Sequence, residues 1–213
     1  RIESPQTTKE NLIALLKKEL QSEPGKIYDY HNFVYGLVED YLAWKERAKF
    51  SGLLKENLFK PLGMKRATLG YQGFIMDKNR VHSHCHRKKH KKITFFPCST
   101  SRHYHSKAIP AGGINASIRD LVPFLKLQMQ GDEKVLSYKD LVYMHTPQIV
   151  TCDIRPVMQK LLPTTAAHFY ALGWRVIHIP KKPSIIYHGG TLRGVTNFLG
   201  FIPEKKTGII ILN

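Results

Sequence analysis

The chain has 213 residues, of which 42% are apolar, and this is enough to form the core of one large domain or two small ones. Its 33 lysine and arginine residues outnumber its 16 acidic residues and give a formal net charge of +17. No apolar run approaches the roughly eighteen residues that a membrane-spanning helix needs, so no membrane span is predicted, and no signal peptide is recognised.

Helices are predicted in much of the first 169 residues. The first begins at a capping box formed by Thr7 and Glu10 and continues with apolar residues at helical spacing up to Pro24. Later segments show either the same apolar spacing or a capping box formed by a serine and the aspartate three residues after it. The further predicted helices are 34–42, 53–59 and two that begin at Ser117 and Ser137.

Residues 75–110 are predicted to form a basic, histidine-rich loop inside this helical region. They contain nine lysine and arginine residues against one acidic residue, together with six of the eleven histidines. The run 87–92 could bind nucleic acid or an anionic membrane. It lacks interleaved aromatic residues and shows neither a helical nor a strand period, so the favoured interpretation is a solvated loop rather than a nucleic-acid site.

The same loop contains several side chains that commonly bind metal ions. Zinc requires four ligands that converge on one point, with support from the surrounding residues. Spacing alone does not establish such convergence, and the many lysines would oppose a bound cation by charge repulsion. We therefore predict no metal site at this cluster, which comprises His82, His84, Cys85, His86 and His90.

Short segments rich in β-branched and aromatic residues predict antiparallel strands in residues 170–213. His188 closes one of them and is followed directly by Gly189 and Gly190. Paired glycines allow another molecule to approach the backbone closely, and an imidazole beside them can donate a hydrogen bond or a charge. A strand-to-turn junction with a chance histidine is the alternative. The predicted strands are 171–179, 184–188 and 196–202, with 208–212 as a fourth candidate.

Several short motifs follow one another in a set order along nearly the whole chain. They are Pro24-Gly25 with Tyr30-His31-Asn32, Pro61-Leu62-Gly63-Met64, the segment from Pro110 to Leu121, Tyr170-Ala171-Leu172-Gly173-Trp174 and His188-Gly189-Gly190. In these motifs and their order, the chain resembles class C β-lactamase-related serine hydrolases of the penicillin-binding-protein superfamily. The resemblance implies an α+β fold of the β-lactamase/transpeptidase type, with a helical region packed on an antiparallel sheet. Residues 1–169 and 170–213 would then be parts of one domain.

The resemblance also implies catalytic residues in the Tyr-x-Asn motif. Tyr30 matches a tyrosine that acts as a general base or proton shuttle. A free phenol has a pKa of about 10, so this role needs a cationic neighbour, ordinarily the lysine of the family's nucleophile motif. Asn32 matches an asparagine that hydrogen-bonds both a substrate carbonyl and that lysine. The alternatives are a buried tyrosine and a helix-capping asparagine.

His188 stands where penicillin-binding proteins carry the lysine of Lys-Thr-Gly, and by resemblance it would orient substrate or relay a proton. Gly189 and Gly190 would keep the strand edge open for substrate. The backbone N–H of Thr191 would donate a hydrogen bond to an oxyanion. The resemblance thus implies a catalytic group of Tyr30, Asn32 and His188, substrate binding at the three residues that follow His188, and no metal or other cofactor.

The nucleophile of the family lies in a Ser-x-x-Lys motif, where the lysine helps to deprotonate the serine. None of the ten serines of this chain is followed by lysine three residues later. We therefore expect either a fragment that is incomplete at its N-terminus or a chain that has lost its nucleophile. An incomplete sheet would leave one edge unpaired, so a missing N-terminal segment or a partner chain is expected to complete it.

The functional prediction is a serine hydrolase that, when complete, cleaves an amide or an ester through an acyl-enzyme. Its substrate would be a peptidoglycan-derived peptide, a β-lactam or a small ester. By family resemblance the protein would be periplasmic or secreted. The competing prediction is a catalytically inactive protein of the same fold that binds cell-wall polymer or another anionic polymer.

Overall fold

The computed structural model describes residues 22–87, 92–96, 108–152, 154, 156–192 and 194–213. The first predicted helix, from Thr7 to Pro24, falls almost entirely outside these residues and stays a prediction. A short 3-10 helix covers Pro203–Lys205, and the α-helices lie between residues 32 and 161 of the described chain. They are α1 (Asn32–Tyr35), α2 (Leu37–Glu46), α3 (Phe50–Leu54), α4 (Gly70–Met76), α5 (Ile109–Gly112), α6 (Ile118–Gln130), α7 (Tyr138–His145) and α8 (Pro156–Leu161).

The helices predicted from apolar spacing are present, with local differences. The predicted helix 34–42 is divided at Gly36 into α1 and α2. The predicted helix 53–59 is the second part of a longer one, because α3 continues as a π-helix over Lys55–Phe59. The predicted helix starts at Ser117 and Ser137 are confirmed, since each serine is the N-cap of α6 or α7.

The N-terminus of α6 is attached to the rest of the molecule through Asp120. This carboxylate is 4% exposed and accepts hydrogen bonds from the hydroxyl and backbone N–H of Ser117 and from the backbone N–H of Arg66. Burial alone would raise the pKa of Asp120, but the hydrogen bonds from Ser117 and Arg66 outweigh it and lower the pKa. Asp120 therefore joins α6 to the loop that follows the π-helix.

The described residues form ten strands: β1 (Thr68–Leu69), β2 (His84–Arg87), β3 (Lys92–Phe95), β4 (Ile114–Asn115), β5 (Ile149–Val150), β6 (Ala167–Tyr170), β7 (Arg175–His178), β8 (Ile185–Leu192), β9 (Val195–Ile202) and β10 (Thr207–Leu212). Six of them make one antiparallel sheet in the order β10-β9-β8-β7-β6-β5. β1 pairs with β4, and β2 pairs with β3, in two small separate sheets. Strands therefore occur well before residue 170, which the sequence pattern did not predict.

The prediction of a single strand over 171–179 is wrong, because this segment includes a tight turn. β6 ends at Tyr170 and β7 begins at Arg175. Between them Gly173 adopts a φ of +81°, a left-handed conformation that glycine tolerates best. The N–H of residue 171 donates to the carbonyl of residue 174 at 2.7 Å and closes the hairpin.

The other C-terminal strands are present with different limits. The predicted strand 184–188 continues as β8 to Leu192, because its pairing with β9 extends that far. His188 therefore lies within a strand, and the prediction that it closes one is wrong. The strands predicted over 196–202 and 208–212 are confirmed as β9 and β10.

The prediction that 75–110 forms a loop without regular structure is wrong in part. β2 and β3 form an antiparallel hairpin in which His84 is paired with Phe95. The base of this hairpin is attached to the turn between β8 and β9, since the N–H of His84 donates to the carbonyl of Gly194 at 2.9 Å. This hydrogen bond joins residues far apart in the sequence. The local sequence around the hairpin therefore does not predict its strands.

We expect Gly194→Ala to lower the free energy of unfolding by about 1 to 3 kcal/mol. Gly194 has a φ of +80°, and an added Cβ would lie 2.6 Å from the backbone nitrogen of His84. Thermal unfolding measures the effect. Gly52→Ala is the matched control, because a Cβ at Gly52 meets nothing within 4 Å inside α3 and alanine favours helix. Equal melting temperatures for wild type and Gly194→Ala would contradict the expectation.

The main core lies between α6 and the large sheet. Side chains of α6 pack on aromatic and branched residues of β7, β8 and β9 and of the turn before β7. Trp174 and Phe201 meet edge to face, with ring centroids 5.1 Å apart. The buried cluster consists of Leu125, Met129, Ala171, Trp174, Val176, Ile186 and Phe201. It fixes the position of β8, on which half of the candidate site is built.

Candidate active site

The six predicted site residues line one cleft of about 1350 Å³. Tyr30 and Asn32 come from the segment that leads into α1. The other four residues come from β8, at the opposite end of the sequence: His188, Gly189, Gly190 and Thr191. The fold thus brings the Tyr-x-Asn and His-x-Gly motifs together, while their chemical roles stay predictions.

β8 presents an open edge to this cleft. Its ladder with β7 ends at Tyr187, whereas its ladder with β9 continues to Leu192. From His188 onwards, one side of the strand therefore borders the cleft instead of another strand of the described sheet. A Cβ placed on Gly190 would meet nothing within 4 Å, so the space at this glycine belongs to the cleft and can admit another molecule.

The alternative interpretations of Tyr30 as a buried tyrosine and of Asn32 as a helix-capping residue are wrong. Tyr30 is 40% exposed and is not a buried core tyrosine. Asn32 is the first helical residue of α1, whereas the N-cap is His31, whose side chain makes no capping hydrogen bond. The ring centroids of Tyr30 and His188 lie 6.1 Å apart, so the two motifs approach each other closely.

A positive charge lies beside Tyr30. The guanidinium carbon of Arg175 is 5.7 Å from the centroid of the Tyr30 ring and 5.7 Å from that of Tyr170. A cation in this position is attracted to the ring face, and a cationic neighbour is what the general-base role predicted for Tyr30 requires. The resemblance assigned this requirement to a lysine, and Arg175 is a second group that can meet it.

Tyr170 contacts His188 directly. The Tyr170 hydroxyl lies 3.3 Å from Nε2 of His188. Burial raises the pKa of Tyr170, and nearby Tyr30 and Tyr28 act in the same direction. The phenol therefore keeps its proton at neutral pH and can donate it to Nε2 of a neutral imidazole. The ring proton of His188 would then be on Nδ1.

Sequence patterns did not predict Tyr170 and Arg175 as site residues. They are Cα partners in the β6–β7 ladder, so the turn at Gly173 places them side by side at the end of the sheet. In a continuous strand over this segment they would lie far apart. The available signal was Gly173 itself, because a glycine inside a strand pattern often marks a tight bend.

We expect Tyr170→Phe to lower kcat about 3- to 10-fold, which corresponds to the loss of one hydrogen bond. The tautomer of His188 should also change, because its Nε2 loses the hydroxyl of Tyr170. Nitrogen-15 NMR of the imidazole provides the direct measurement, with Nδ1–H in wild type and mixed tautomers in the variant. Tyr143→Phe is the control, since Tyr143 is 63% exposed and lines neither this cleft nor the smaller cavity that adjoins it. Unchanged imidazole shifts in Tyr170→Phe would refute this positioning role.

The cleft carries an excess of positive charge. Its charged lining consists of Arg66, Arg80, Arg175 and Asp77, besides His188. Arg66 is paired with Asp77 at 2.6 Å, and Arg80 donates to the backbone carbonyls of residues 75 and 77. The net charge of these walls favours substrates that carry neutral or anionic groups.

Neither a metal centre nor a membrane helix is found in the part of the chain that the structure describes. No three His, Cys, Asp or Glu side chains within it converge closely enough to hold a metal ion. His90 and the side chain of His86, both from the histidine-rich segment, lie outside that part. None of the described helices is both long and apolar enough to cross a bilayer.

Helices packed on an antiparallel sheet, with a Tyr-x-Asn motif facing a His-x-Gly strand across a cleft, define an α+β protein of the β-lactamase/transpeptidase type. The family model described as Beta-lactamase matches residues 3–212. The chain therefore belongs to the beta-lactamase family, and the resemblance seen in its motifs is confirmed.

Curated relatives of this chain are considerably longer than it is. Protein flp of Staphylococcus aureus (strain MW2) is 22% identical over 204 residues, which cover 93% of this chain and 36% of that protein. D-alanyl-D-alanine-carboxypeptidase/endopeptidase AmpH of Escherichia coli (strain K12) is 23% identical over 203 residues, covering 91% of this chain and 47% of that protein. The chain thus spans less than half the length of either relative.

Solved structures share the fold. The octameric penicillin-binding protein homologue from Pyrococcus abyssi superposes with a TM-score of 0.80 at 22% identity, over 99% of this chain and 44% of that one. The D-amino acid amidase from Ochrobactrum anthropi SV3 superposes with a TM-score of 0.67 at 20% identity, over 99% of this chain and 56% of that one. The predicted α+β, β-lactamase/transpeptidase-like fold is confirmed.

Proposed function

We propose that the chain carries part of the active site of a serine hydrolase that cleaves an amide or an ester through an acyl-enzyme. The observation that carries this proposal is the convergence of Tyr30, Asn32 and His188 on one cleft beside the open edge of β8. A proton-transfer group, an amide and an imidazole at one strand edge are components of an acyl-transfer site, which needs a nucleophile in addition.

In the proposed acylation step, a serine Oγ attacks the substrate carbonyl carbon while Tyr30 takes the serine proton. Arg175 supplies the positive charge that a phenolate form of Tyr30 needs. The backbone N–H of Thr191 donates to the oxyanion, and the amide of Asn32 binds the acyl group. The bond to the leaving group then breaks as Tyr30 returns the proton to the leaving nitrogen or oxygen. Water, activated by the same phenolate, hydrolyses the acyl-enzyme.

This reaction needs a nucleophile that these 213 residues do not offer in the Ser-x-x-Lys pattern. Ser117 does not replace it, because its hydroxyl is bonded to the carboxylate of Asp120 at 2.6 Å and caps α6. The proposal therefore assigns the serine to residues outside this sequence, in the same polypeptide or in a partner chain. The same additional residues would complete the described sheet at one of its two edge strands, β5 or β10.

The proposed substrates are amides and esters of the kind that related proteins are named for. AmpH is a D-alanyl-D-alanine carboxypeptidase and endopeptidase, and a structural neighbour is a D-amino acid amidase. Both names support an amide substrate, such as a peptidoglycan-derived peptide, with β-lactams and small esters as further candidates. Cell-wall substrates would place the protein in the periplasm or outside the cell.

Covalent labelling tests the proposal. The natural protein that contains this chain is isolated from its source cells and treated with a fluorescent penicillin and, separately, with a fluorophosphonate. Intact mass and peptide mapping then locate any adduct, with heat-denatured protein as the control. An adduct on one serine of the native protein supports the acyl-enzyme mechanism, and the preferred probe separates penicillin-binding from esterase character.

A second candidate function rests on the missing Ser-x-x-Lys pattern and the net charge of +17. The protein would be an inactive member of the family that binds cell-wall polymer or another anionic polymer. It predicts that neither probe labels the native protein and that the protein sediments with purified cell walls. Such sedimentation should weaken as salt screens the charges.

A further inference from the structure

A second cavity of about 600 Å³ adjoins the active-site cleft. Tyr30, Asn32 and His188 line both spaces, as do Pro110 and Ala111. A molecule that reacts beside Tyr30 and His188 therefore has this second cavity directly next to its reacting atoms. We refer to it as the tyrosine pocket, defined by Tyr28, Tyr30, Tyr35, Tyr170, Val34 and Val38.

The lining of the tyrosine pocket differs chemically from that of the main cleft. Three arginines line the main cleft, whereas no lysine or arginine is among the described residues that line the tyrosine pocket. This is notable in a chain with 33 basic residues. Among the described lining residues, aromatic rings and branched aliphatic side chains predominate, beside the polar residues Asp29, His31, Asn32 and His188. An uncharged apolar group is the ligand that such walls favour.

The walls of the pocket are held in place by ring contacts. The centroids of Tyr28 and Tyr170 are 5.2 Å apart, and those of Tyr30 and Tyr170 are 6.0 Å apart. In the same lining, Val34 is 40% exposed and Val38 is 36% exposed. These side chains still have apolar surface to bury, so a ligand could remove that surface from water.

We propose that the tyrosine pocket is a specificity subsite that binds an uncharged aromatic or branched apolar group next to the scissile bond. This inference rests on the proposed hydrolase function and adds the class of substrate to it. The main cleft would bind the polar part of the substrate along β8, while the pocket would bind the apolar group. A substrate without such a group would leave the pocket filled with water.

Three esters and one pair of variants, made in the natural protein that contains this chain, test the subsite. Methyl acetate lacks an aryl group, methyl phenylacetate carries it on the acyl side, and benzyl acetate carries it on the leaving side. Val34→Trp fills the pocket from α1. Val142→Trp is the matched control, because Val142 is a 50% exposed valine on α7 outside both cavities.

We expect wild type to hydrolyse one of the aryl esters with a kcat/KM about 10- to 100-fold above that of methyl acetate. Val34→Trp should lose this advantage over methyl acetate, whereas Val142→Trp should keep both the advantage and the rate on methyl acetate. The preferred aryl ester shows whether the pocket serves the acyl or the leaving group. Equal rates on all three esters, with no change of the ratio in Val34→Trp, would overturn the subsite and leave the hydrolase function standing.

A binding measurement separates this inference from the proposed reaction. Phenylacetamide is used as a ligand, and saturation-transfer NMR detects contact of its phenyl protons with the protein. Transfer to wild type and Val142→Trp, but not to Val34→Trp, would support the pocket even if no ester is hydrolysed. Absence of transfer to wild type would count against the pocket independently of catalysis.

Discussion

Replacing Tyr30 with phenylalanine is expected to lower kcat/KM for ester or amide hydrolysis by about 100- to 10,000-fold, the range that general acid–base groups contribute. The variant lacks only the phenol oxygen that is proposed to move the proton. The aromatic ring stays in contact with His188 and Arg175, so the shape of the cleft should persist. Steady-state kinetics with the best ester of the set measures the loss.

Tyr41→Phe is the control for this experiment. Tyr41 is a 56% exposed tyrosine on α2 and lines neither cavity, so the same atom is removed without effect on the site. Equal melting temperatures for both variants would show that the fold is intact. A loss of less than about 3-fold in Tyr30→Phe would refute the assignment of the proton transfer to this residue.

Acidification from pH 6.5 to pH 4 is expected to lower the free energy of unfolding by about 3 kcal/mol through His145 alone. Burial lowers the pKa of His145 from 6.5 to about 4. Below about pH 6.5 the imidazole of His145 is therefore protonated in the unfolded chain, whereas in the folded chain it is protonated only below about pH 4. The stabilisation is present at neutral pH and is lost as the pH falls through this window.

The surroundings of His145 explain why its neutral form is favoured. The side chain is 9% exposed, and its Nε2 lies 3.0 Å from Oε1 of Gln128, to which a neutral ring can donate. Its ring packs edge to face against Trp174 and Phe201, with centroids 5.9 and 5.2 Å away. A charged imidazole would be desolvated among these rings without a carboxylate to compensate it.

Chemical denaturation at a series of pH values tests this expectation. His145→Gln is the informative variant, because it can still hydrogen-bond Gln128 but does not titrate. Its unfolding free energy should depend less steeply on pH between 6.5 and 4, whatever its absolute stability. Burial also lowers the pKa of His168, so a smaller slope of the same sign should remain. Identical slopes for wild type and variant would refute the role of His145.

Asp120 affects a different pH range. Its pKa is lowered in the folded state, so the stability that it contributes is present above the ordinary carboxyl pKa of about 3.9 and is lost only as the pH falls below that value. The pH range in which His145 affects the free energy of unfolding therefore lies above the range in which Asp120 affects it. The two contributions can be separated in one titration.

The motifs predicted residues that converge in space, but they did not predict the surroundings of those residues. Tyr30, Asn32 and His188 were assigned from short patterns in a set order, and these residues line one cleft. Tyr170 and Arg175 were not assigned, because their proximity depends on a hairpin turn at Gly173. The left-handed conformation of Gly173 could not be read from its residue type alone, because the residues around it show the pattern of a continuous strand.

The fold shows the same division between local and long-range information. Ser117 and Ser137 marked helix starts because capping is a local interaction between residues three apart. The hairpin of β2 and β3 escaped prediction because His84 is held by Gly194, more than a hundred residues further along the chain. Composition indicated a solvated basic loop, whereas backbone hydrogen bonds from a distant turn support strands there.

A strand that is unpaired on one side recognises an extended partner through main-chain amides, and these are the same in every peptide. Under the proposed function, the part of β8 from His188 to Leu192, which lies beyond its described ladder with β7, would hold substrates in a fixed register and would not discriminate among their sequences. Choice among substrates then falls to cavities beside the strand. Substitutions on α1 and α2 could thus change the preferred substrate over evolutionary time without disturbing the main-chain geometry in which the reaction takes place.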